Sequence, residues 1–384
     1  MNKTLLILSI SLFAAVSIFA QKPPIMGWSS WNEFKINIDE KMIREQADAI
    51  ISSGMYEAGY RFVNVDDGYF GGRDAVENLL EDRTKFPSGM GALADYIHSK
   101  GLKAGIYTDA GPNTCGSYYN KDTINGRGVG IYKHIEKDCR RFFTEWGYDF
   151  LKVDWCGGER LKLDEQTEYL KILDTVRIFN PDAIYNICRW KFPGEWAVKK
   201  ADSWRISGDI RASFKSILEI IDLNTDLYIY ASAGHYNDMD MLQVGRGMTY
   251  EEDKTHFSMW CMLNSPLLAG NDLRKMSQQT VEVLTNTEII ALNQDKLFRQ
   301  GQKLYSENGV DIWEKSLADG TRAIAIMNRE NHEKDFTILS EKLNISKNTK
   351  IRDLWQHKNI GKIGKQQNFT LAPHGIIVFK TIKN

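Results

Sequence analysis

The sequence predicts a (β/α)8 TIM barrel followed by a C-terminal antiparallel β-sandwich domain. Three observations lead there. Strand-like and helix-like stretches alternate from Met26 to about Asn293, and eight strand-like runs fall in that span. Beyond about Lys303 the alternation gives way to short strand-like runs separated by Gly, Asn, Asp and Lys turn signals. The expected division is a signal peptide over 1–20, a catalytic barrel over 21–300 and a β domain over 301–384.

In chain order, the first strand is expected at Ile25-Met-Gly-Trp28, followed by a helical repeat of apolar residues over Lys41 to Ser53. Tyr60-Arg-Phe-Val-Asn-Val65 is the second strand, rich in aromatic and β-branched residues. A helix over Gly91 to Lys100 leads to the third strand, Leu102-Lys-Ala-Gly-Ile-Tyr107. A helix over His134 to Trp146 precedes Phe150-Leu-Lys-Val153, and one over Glu165 to Phe179 precedes Ala183-Ile-Tyr-Asn-Ile187. Trp204-Arg-Ile206, Leu227-Tyr-Ile-Tyr-Ala231 and Ser265-Pro-Leu-Leu-Ala269 complete the eight. A doubly wound sheet is the alternative, but eight units and the lack of a Gly-rich phosphate turn argue against it. In the second domain, strands are expected at Gly309–Trp313, Arg322–Met327, Lys334–Leu339, Ile351–Trp355 and Gly375–Lys380.

Composition narrows the partners. With 384 residues, 42% of them hydrophobic, the chain can bury more core than one barrel requires. Acids and bases are interspersed and the net charge is −1, so no basic face for nucleic acid is expected. Ten Trp and sixteen Tyr suit sugar rings, which pack on flat apolar faces, although core packing alone accounts for many aromatics. At the N-terminus, Lys3, the apolar stretch from Leu5 to Val16 and the small Ala20 form the pattern of a secretory signal cleaved before Gln21. No later run reaches the roughly 20 apolar residues of a membrane span. An exported protein, periplasmic or secreted, is therefore expected.

Five cysteines would enter that oxidising compartment: Cys115, Cys139, Cys156, Cys188 and Cys261. Their spacing fits no zinc pattern, and the odd number leaves at least one thiol free. Cys115 and Cys156 each follow a strand-like run and fall in rim loops, which favours a bridge between them. Cys261, inside Met259-Trp-Cys-Met-Leu263, reads as a buried thiol.

Functional chemistry is expected at the strand ends. In parallel barrels the C-terminal rim carries the active site, and here polar or aromatic residues end nearly every strand. The second strand runs into Asp66 and Asp67, the third into Tyr107 and Asp109, and the fourth carries Lys152 and Asp154. The fifth runs into Cys188, Arg189 and Trp190, the sixth into Arg205 and Asp209, and the seventh into Asn237-Asp-Met-Asp240. Asp154 and Asp209 would then face one pocket, as glycoside hydrolysis requires of its two carboxyl groups. Lys152 and Asp154, two apart on a strand, share a face, so the ammonium is expected to keep Asp154 ionised as a nucleophile. Asp209 would serve as the acid, with Arg205 orienting it or gripping a hydroxyl. Asp66-Asp67 suits vicinal hydroxyls, with metal binding or helix capping as the alternative reading. Trp31 is read as a stacking platform or a core residue.

These segments resemble glycoside hydrolase family 27, the α-galactosidases and their relatives. The resemblance rests on Pro24-Ile-Met-Gly-Trp-Ser-Ser-Trp-Asn32, Val65-Asp-Asp-Gly68, Lys85-Phe-Pro-Ser-Gly89, Gly105-Ile-Tyr-Thr-Asp-Ala-Gly111, Leu151-Lys-Val-Asp-Trp-Cys156, Arg205 to Ile210, Asn237-Asp-Met-Asp-Met-Leu242, Ser265 to Asp272 and Ala291-Leu-Asn-Gln-Asp295. It covers about 270 residues in the family order and weakens over the C-terminal domain. It implies a retaining exo-α-galactosidase acting on a terminal galactoside of an oligosaccharide or polysaccharide, with Asp154 as nucleophile and Asp209 as acid/base. Trp31, Asp66, Asp67, Tyr107, Lys152, Cys188, Trp190, Arg205, Asp240 and Met241 match galactose-pocket positions, and Cys115 with Cys156 matches a family disulfide. No metal and no organic cofactor is implied. Three departures stand out. Cys188-Arg-Trp190 replaces a common Cys-Glu-Trp, which opens α-N-acetylgalactosaminidase activity as an alternative and adds Arg189 to the substrate-binding candidates. Met239 stands where proline is usual. The segment from Ser117 to Gly130 looks long, a leaving-group subsite or a plain insertion. A β-L-arabinopyranosidase and a non-catalytic sugar-binding barrel are the remaining alternatives.

Overall fold

The computed structural model describes residues 22–383; the signal-peptide reading of 1–20 lies outside them. Eight strands form one parallel sheet: β1 (Met26–Ser29), β2 (Phe62–Val65), β3 (Lys103–Asp109), β4 (Phe150–Asp154), β5 (Ile184–Ile187), β6 (Ser203–Arg205), β7 (Tyr236–Asp238) and β8 (Leu267–Ala269). Their order is β8-β1-β2-β3-β4-β5-β6-β7. Leu242, just past β7, bridges to Ala269 in parallel and donates its N–H to the Leu268 carbonyl at 2.7 Å, which draws the two ends of the sheet together. The barrel is thus closed by the chain leaving β7.

Helices cover the outside for the expected reason. In Glu40–Ser52, Asp39 caps the N-terminus by accepting from the Met42 N–H, and Met42, Ile43, Ala47 and Ile50 line the buried stripe. Inside the barrel, the first residues of β2, β4 and β5, namely Phe62, Phe150 and Ile184, cluster with Ile25. This apolar cluster sits at the N-terminal ends of the strands, opposite the rim that carries the polar residues.

One expected strand is displaced. Leu227-Tyr-Ile229 forms a single 3-10 turn, and Ile229 is 63% exposed; the seventh strand is Tyr236–Asp238. Its polar residues hid it, because they are buried through hydrogen bonds rather than apolar contact. Asn237 accepts from the Trp204 indole N–H (2.8 Å) and donates to the Leu227 carbonyl, while Asp238 accepts from the Asn186 amide (2.8 Å). Each bond satisfies a group whose burial would otherwise cost about 1–3 kcal/mol.

The C-terminal region is antiparallel: β9 (Gln302–Glu307), β10 (Val310–Ser316), β11 (Arg322–Asn328), β12 (Lys334–Leu339), β13 (Lys350–Asp353), β14 (Lys358–Lys362), β15 (Gln366–Leu371) and β16 (Ile376–Ile382). The main sheet runs β9-β10-β11-β16-β13-β14, and β12 pairs with β15 as a second layer. Ile312, Ile324, Ile326 and Phe379 from the sheet pack with Phe336, Ile338 and Leu371 from that layer. The opposite face, with Trp313, Ala325, Met327 and Val378, joins the barrel's own core. Both faces of the sheet are covered, so the two parts are held together over a broad apolar contact.

Candidate active site

Strand alternation aims the chemistry. Along β4, Leu151 and Val153 bury outward, while Lys152 and Asp154 face the barrel interior. Lys152 Nζ bonds Asp66 Oδ2 at the end of β2 (2.8 Å) and lies 5.3 Å from the centre of the Tyr107 ring. The ammonium pairs directly with Asp66 and acts on Asp154 only as a nearby charge. Lys152 still favours the ionised form of Asp154, but as a neighbouring charge rather than as a direct ion-pair partner. Burial pushes the Asp154 carboxyl up to about 6; Lys152 opposes this, and the negative charge of Asp209 adds to it.

Asp154 is held by donors alone. Its Oδ1 accepts from the Trp155 N–H (3.0 Å) and the Trp190 indole N–H (3.1 Å), and its Oδ2 from the Tyr107 hydroxyl (3.2 Å). To deliver its indole, Trp190 adopts φ of +65°, a left-handed conformation costing a bulky residue about 1–2 kcal/mol. Asp240 is also left-handed, at +75°.

Asp209 sits at the mouth with its side chain 60% exposed. Arg205 Nη2 bonds its Oδ1 (3.2 Å) and, more closely, Oδ2 of buried Asp240 (2.9 Å). Desolvation works to raise the Asp209 carboxyl, but the positive charges of Arg205, Lys152 and Lys35 outweigh it and hold the group below the usual carboxylate range. Asp240 is fixed in turn by the Ile210 N–H (2.9 Å) and the Met241 N–H (2.7 Å).

The carboxylates share one cavity. Its deep part is lined by Asp66, Tyr107, Phe150, Lys152, Arg205, Asp240 and Met241, among others. Its outer part, about 450 Å³, is lined by Trp31, Lys152, Asp154, Trp190 and Asp209, together with Lys35, Tyr119, Asn120 and Gly208. That volume is in the range of small-molecule sites. Asp67 is wholly buried, with Oδ2 accepting from the Gly116 N–H (2.7 Å) and Oδ1 without a protein partner; burial lifts its carboxyl to about 7. Cys188 is buried with its sulfur 3.7 Å from Arg205 Nη1. Arg189 turns elsewhere: its Nε bonds Glu165 (2.5 Å), its Nη2 lies 3.7 Å from Glu159, and it lines neither part of the cavity.

Lys35, Asn120 and Tyr119 were not among the sequence-derived site residues. Lys35 had a signal, because it lies four residues after Trp31, and its Nζ is 5.0 Å from the centre of that ring. Among the described residues, one cluster has metal-ligand proximity, Asp109 with Cys115 and Cys156. Its two sulfurs are joined in a disulfide, so neither is free as a thiolate.

That disulfide ties the β3 rim loop to the β4 loop, beside the approach of Gly111 to Gly157, where a Cβ on Gly111 would lie 2.0 Å from the Gly157 backbone. The bridge closes 41 residues. Loop-closure entropy puts its contribution at about 2–4 kcal/mol. The Cys115→Ser/Cys156→Ser double variant is expected to unfold at lower denaturant by that amount, as equilibrium urea unfolding would read out. An unchanged midpoint would mean that the rim is held by its backbone contacts alone.

Comparison with known proteins bears on this geometry. The family described as Alpha galactosidase A matches residues 23–295, and the Alpha galactosidase C-terminal beta sandwich domain matches 307–381. Alpha-galactosidase A of Cellvibrio japonicus is 40% identical, over 97% of this chain and 96% of its own. Alpha-galactosidase of Oryza sativa subsp. japonica is 38% identical, over 92% and 83%. The crystal structure of alpha-galactosidase I from Mortierella vinacea superposes with a TM-score of 0.87 at 30% identity, covering 94% of this chain and 97% of that one.

Proposed function

The chain belongs to the α-galactosidase family, glycoside hydrolase family 27, and we propose that Asp154 and Asp209 are the residues with which it cleaves terminal α-linked galactose. It is a retaining α-galactosidase. The observation that carries the residue assignment is the shared cavity. Asp154 lies within it, fixed by three donors, and Asp209 stands at its mouth.

Galactose enters the space lined by Trp31, Lys152, Asp154, Trp190 and Asp209, with Asp66, Tyr107, Arg205 and Asp240 beneath it. Asp154 attacks C1 as Asp209 protonates the glycosidic oxygen, so the C1–O bond breaks while the Asp154–C1 ester forms. Water then attacks C1, Asp209 takes its proton, and Asp154 leaves, which restores the original configuration. The Trp190, Trp155 and Tyr107 donors fix the attacking carboxylate before the substrate arrives. Asp66, Lys152, Arg205 and Asp240 grip hydroxyls, with Trp31, Asp67, Cys188 and Met241 around them. Arg189, paired with Glu165 and Glu159 and 5.5 Å from the centre of the Trp190 ring, stays outside the cavity, which leaves the 2-position to other residues. The disulfide also supports export from a reducing cytosol, and no helix among the described residues is long and apolar enough to cross a membrane.

Substrate choice and pH dependence both test this reading. Chromogenic α-galactoside should be cleaved well ahead of α-N-acetylgalactosaminide and β-L-arabinopyranoside; preference for either of the latter would overturn the substrate assignment. For the pH dependence, Asp209 is held below the usual range and Asp154 is raised to about 6. In the free protein the single proton of the pair therefore rests mainly on Asp154, and the active arrangement, with the proton on Asp209, is the minor form of the singly protonated pair. At low pH both are protonated and no nucleophile exists; above about 6 both are ionised and no acid exists. A bell-shaped kcat/KM profile with a basic limb near pH 6 is expected. Bound sugar covers the exposed Asp209 and disfavours its charge, so the basic limb of kcat should lie higher. Coincident limbs would contradict this account of the acid.

A further inference from the structure

We propose that Tyr119, carried on the 117–130 segment, is the platform for the sugar ring that leaves, and that Asn120 and Lys35 hydrogen-bond its hydroxyls. The proposal rests on the α-galactosidase reading and names the part of the substrate that reading leaves open. The starting observation is a pair of adjacent tyrosines treated differently. Tyr118 is tucked in: its hydroxyl accepts from the Asn113 amide (3.1 Å) and its ring lies under the Arg160 guanidinium at 5.1 Å. Tyr119 is 64% exposed, yet it lines the outer part of the catalytic cavity beside Asn120. A single exposed aromatic is ordinary. One fixed at the mouth of a sugar pocket is not.

The seat is rigid. The Cys115–Cys156 bridge and the Gly116 N–H bond to Asp67 anchor its base. The Thr114 N–H donates to the Gly126 carbonyl (3.0 Å), and the Asp122 N–H to that of Gly116 (3.1 Å). The Gly128 N–H donates to Asn113 Oδ1 (2.9 Å), so the far end of the segment is tied back to its start. Tyr119 is thus presented from a fixed turn, at little entropic cost on binding.

The location fits a leaving group. The oxygen that leaves must lie within reach of Asp209, and C1 within reach of Asp154. Both residues line the outer part of about 450 Å³, so the galactose extends from C1 inward toward Lys152, Asp66 and Asp240. The sugar attached to that oxygen therefore extends from exposed Asp209 toward the opening of the same space, whose wall includes exposed Tyr119. An aromatic face packs against the apolar C–H face of a pyranose, while Asn120 and the Lys35 ammonium, for which no ion pair is found among the described residues, suit its hydroxyl edge. The favoured substrate is a galactosyl oligosaccharide with a second sugar ring next to the galactose.

The experiment compares kcat/KM for an α-(1→6)-galactosyl-glucose disaccharide with that for α-galactosyl fluoride, whose leaving group has no ring. In the full-length Tyr119→Ala variant the disaccharide-to-fluoride ratio should fall roughly tenfold, about 1.4 kcal/mol of lost transition-state binding. Tyr119→Phe, which keeps the ring, should restore it. An unchanged ratio, or equal loss on both substrates, would overturn the proposal with the α-galactosidase reading intact. Wild-type protein inactive on both would remove that reading and the subsite with it.

Discussion

Asp154→Asn should lower kcat by about 10⁴-fold or more while galactose binding persists. The expectation rests on how Asp154 is held. Two N–H donors, from Trp155 and Trp190, reach Oδ1, so an asparagine can place its carbonyl oxygen there. The amide nitrogen then faces the Tyr107 hydroxyl, which can accept as well as donate. The side chain keeps its position and loses only its nucleophilicity. Calorimetric titration with galactose would show binding within a few-fold of wild type. Turnover within tenfold of wild type would exclude Asp154 as the nucleophile. An Asp154→Gly variant leaves space at the same spot, and added azide should then be captured as β-galactosyl azide.

Asp209→Ala has the second largest expected effect, and its signature is dependence on the leaving group. Loss of general acid help costs roughly 10²–10⁴-fold where the leaving oxygen needs a proton. Disaccharides should suffer that loss in kcat/KM, and aryl galactosides with acidic phenols much less. The basic limb of the pH profile should disappear, because with Asp209 gone no proton of a general acid is left to lose and activity only rises as Asp154 ionises. Arg205 would keep its closer partner, Asp240, so the variant should fold normally. Equal losses across leaving groups would assign Asp209 a positioning role instead.

Much of this site was legible in the sequence because chemistry at a barrel rim is marked by where strands stop. Asp66, Tyr107, Lys152, Asp154 and Arg205 all lie at or just past strand ends, and all line one cavity. What sequence spacing could not supply was partner choice. Lys152 and Asp154 share a face, yet Lys152 reaches across to Asp66, because a long side chain on a curved sheet meets neighbouring strand ends. Arg189 sits between two site residues in the chain but turns to Glu165 at the start of the helix before β5, a pairing that no spacing announces. β7 was misplaced because burial of Asn237 and Asp238 is achieved by hydrogen bonding, which no hydropathy pattern records. β9, β14 and β15 were missed for a related reason: their sequences, such as Lys358–Lys362, are polar and largely exposed, and pairing alone makes them strands. Tyr119 illustrates the remaining gap. The segment bearing it stood out by its length, but only the fold brings its ring to the mouth of the cavity.

The central claim is a double displacement through Asp154, and the most direct measurement is the anomeric configuration of the first-formed galactose, monitored by proton NMR before mutarotation. The account predicts α-galactose released first, decaying to the equilibrium mixture. Release of β-galactose would contradict it, because one inversion at C1 leaves no place for a covalent ester on Asp154.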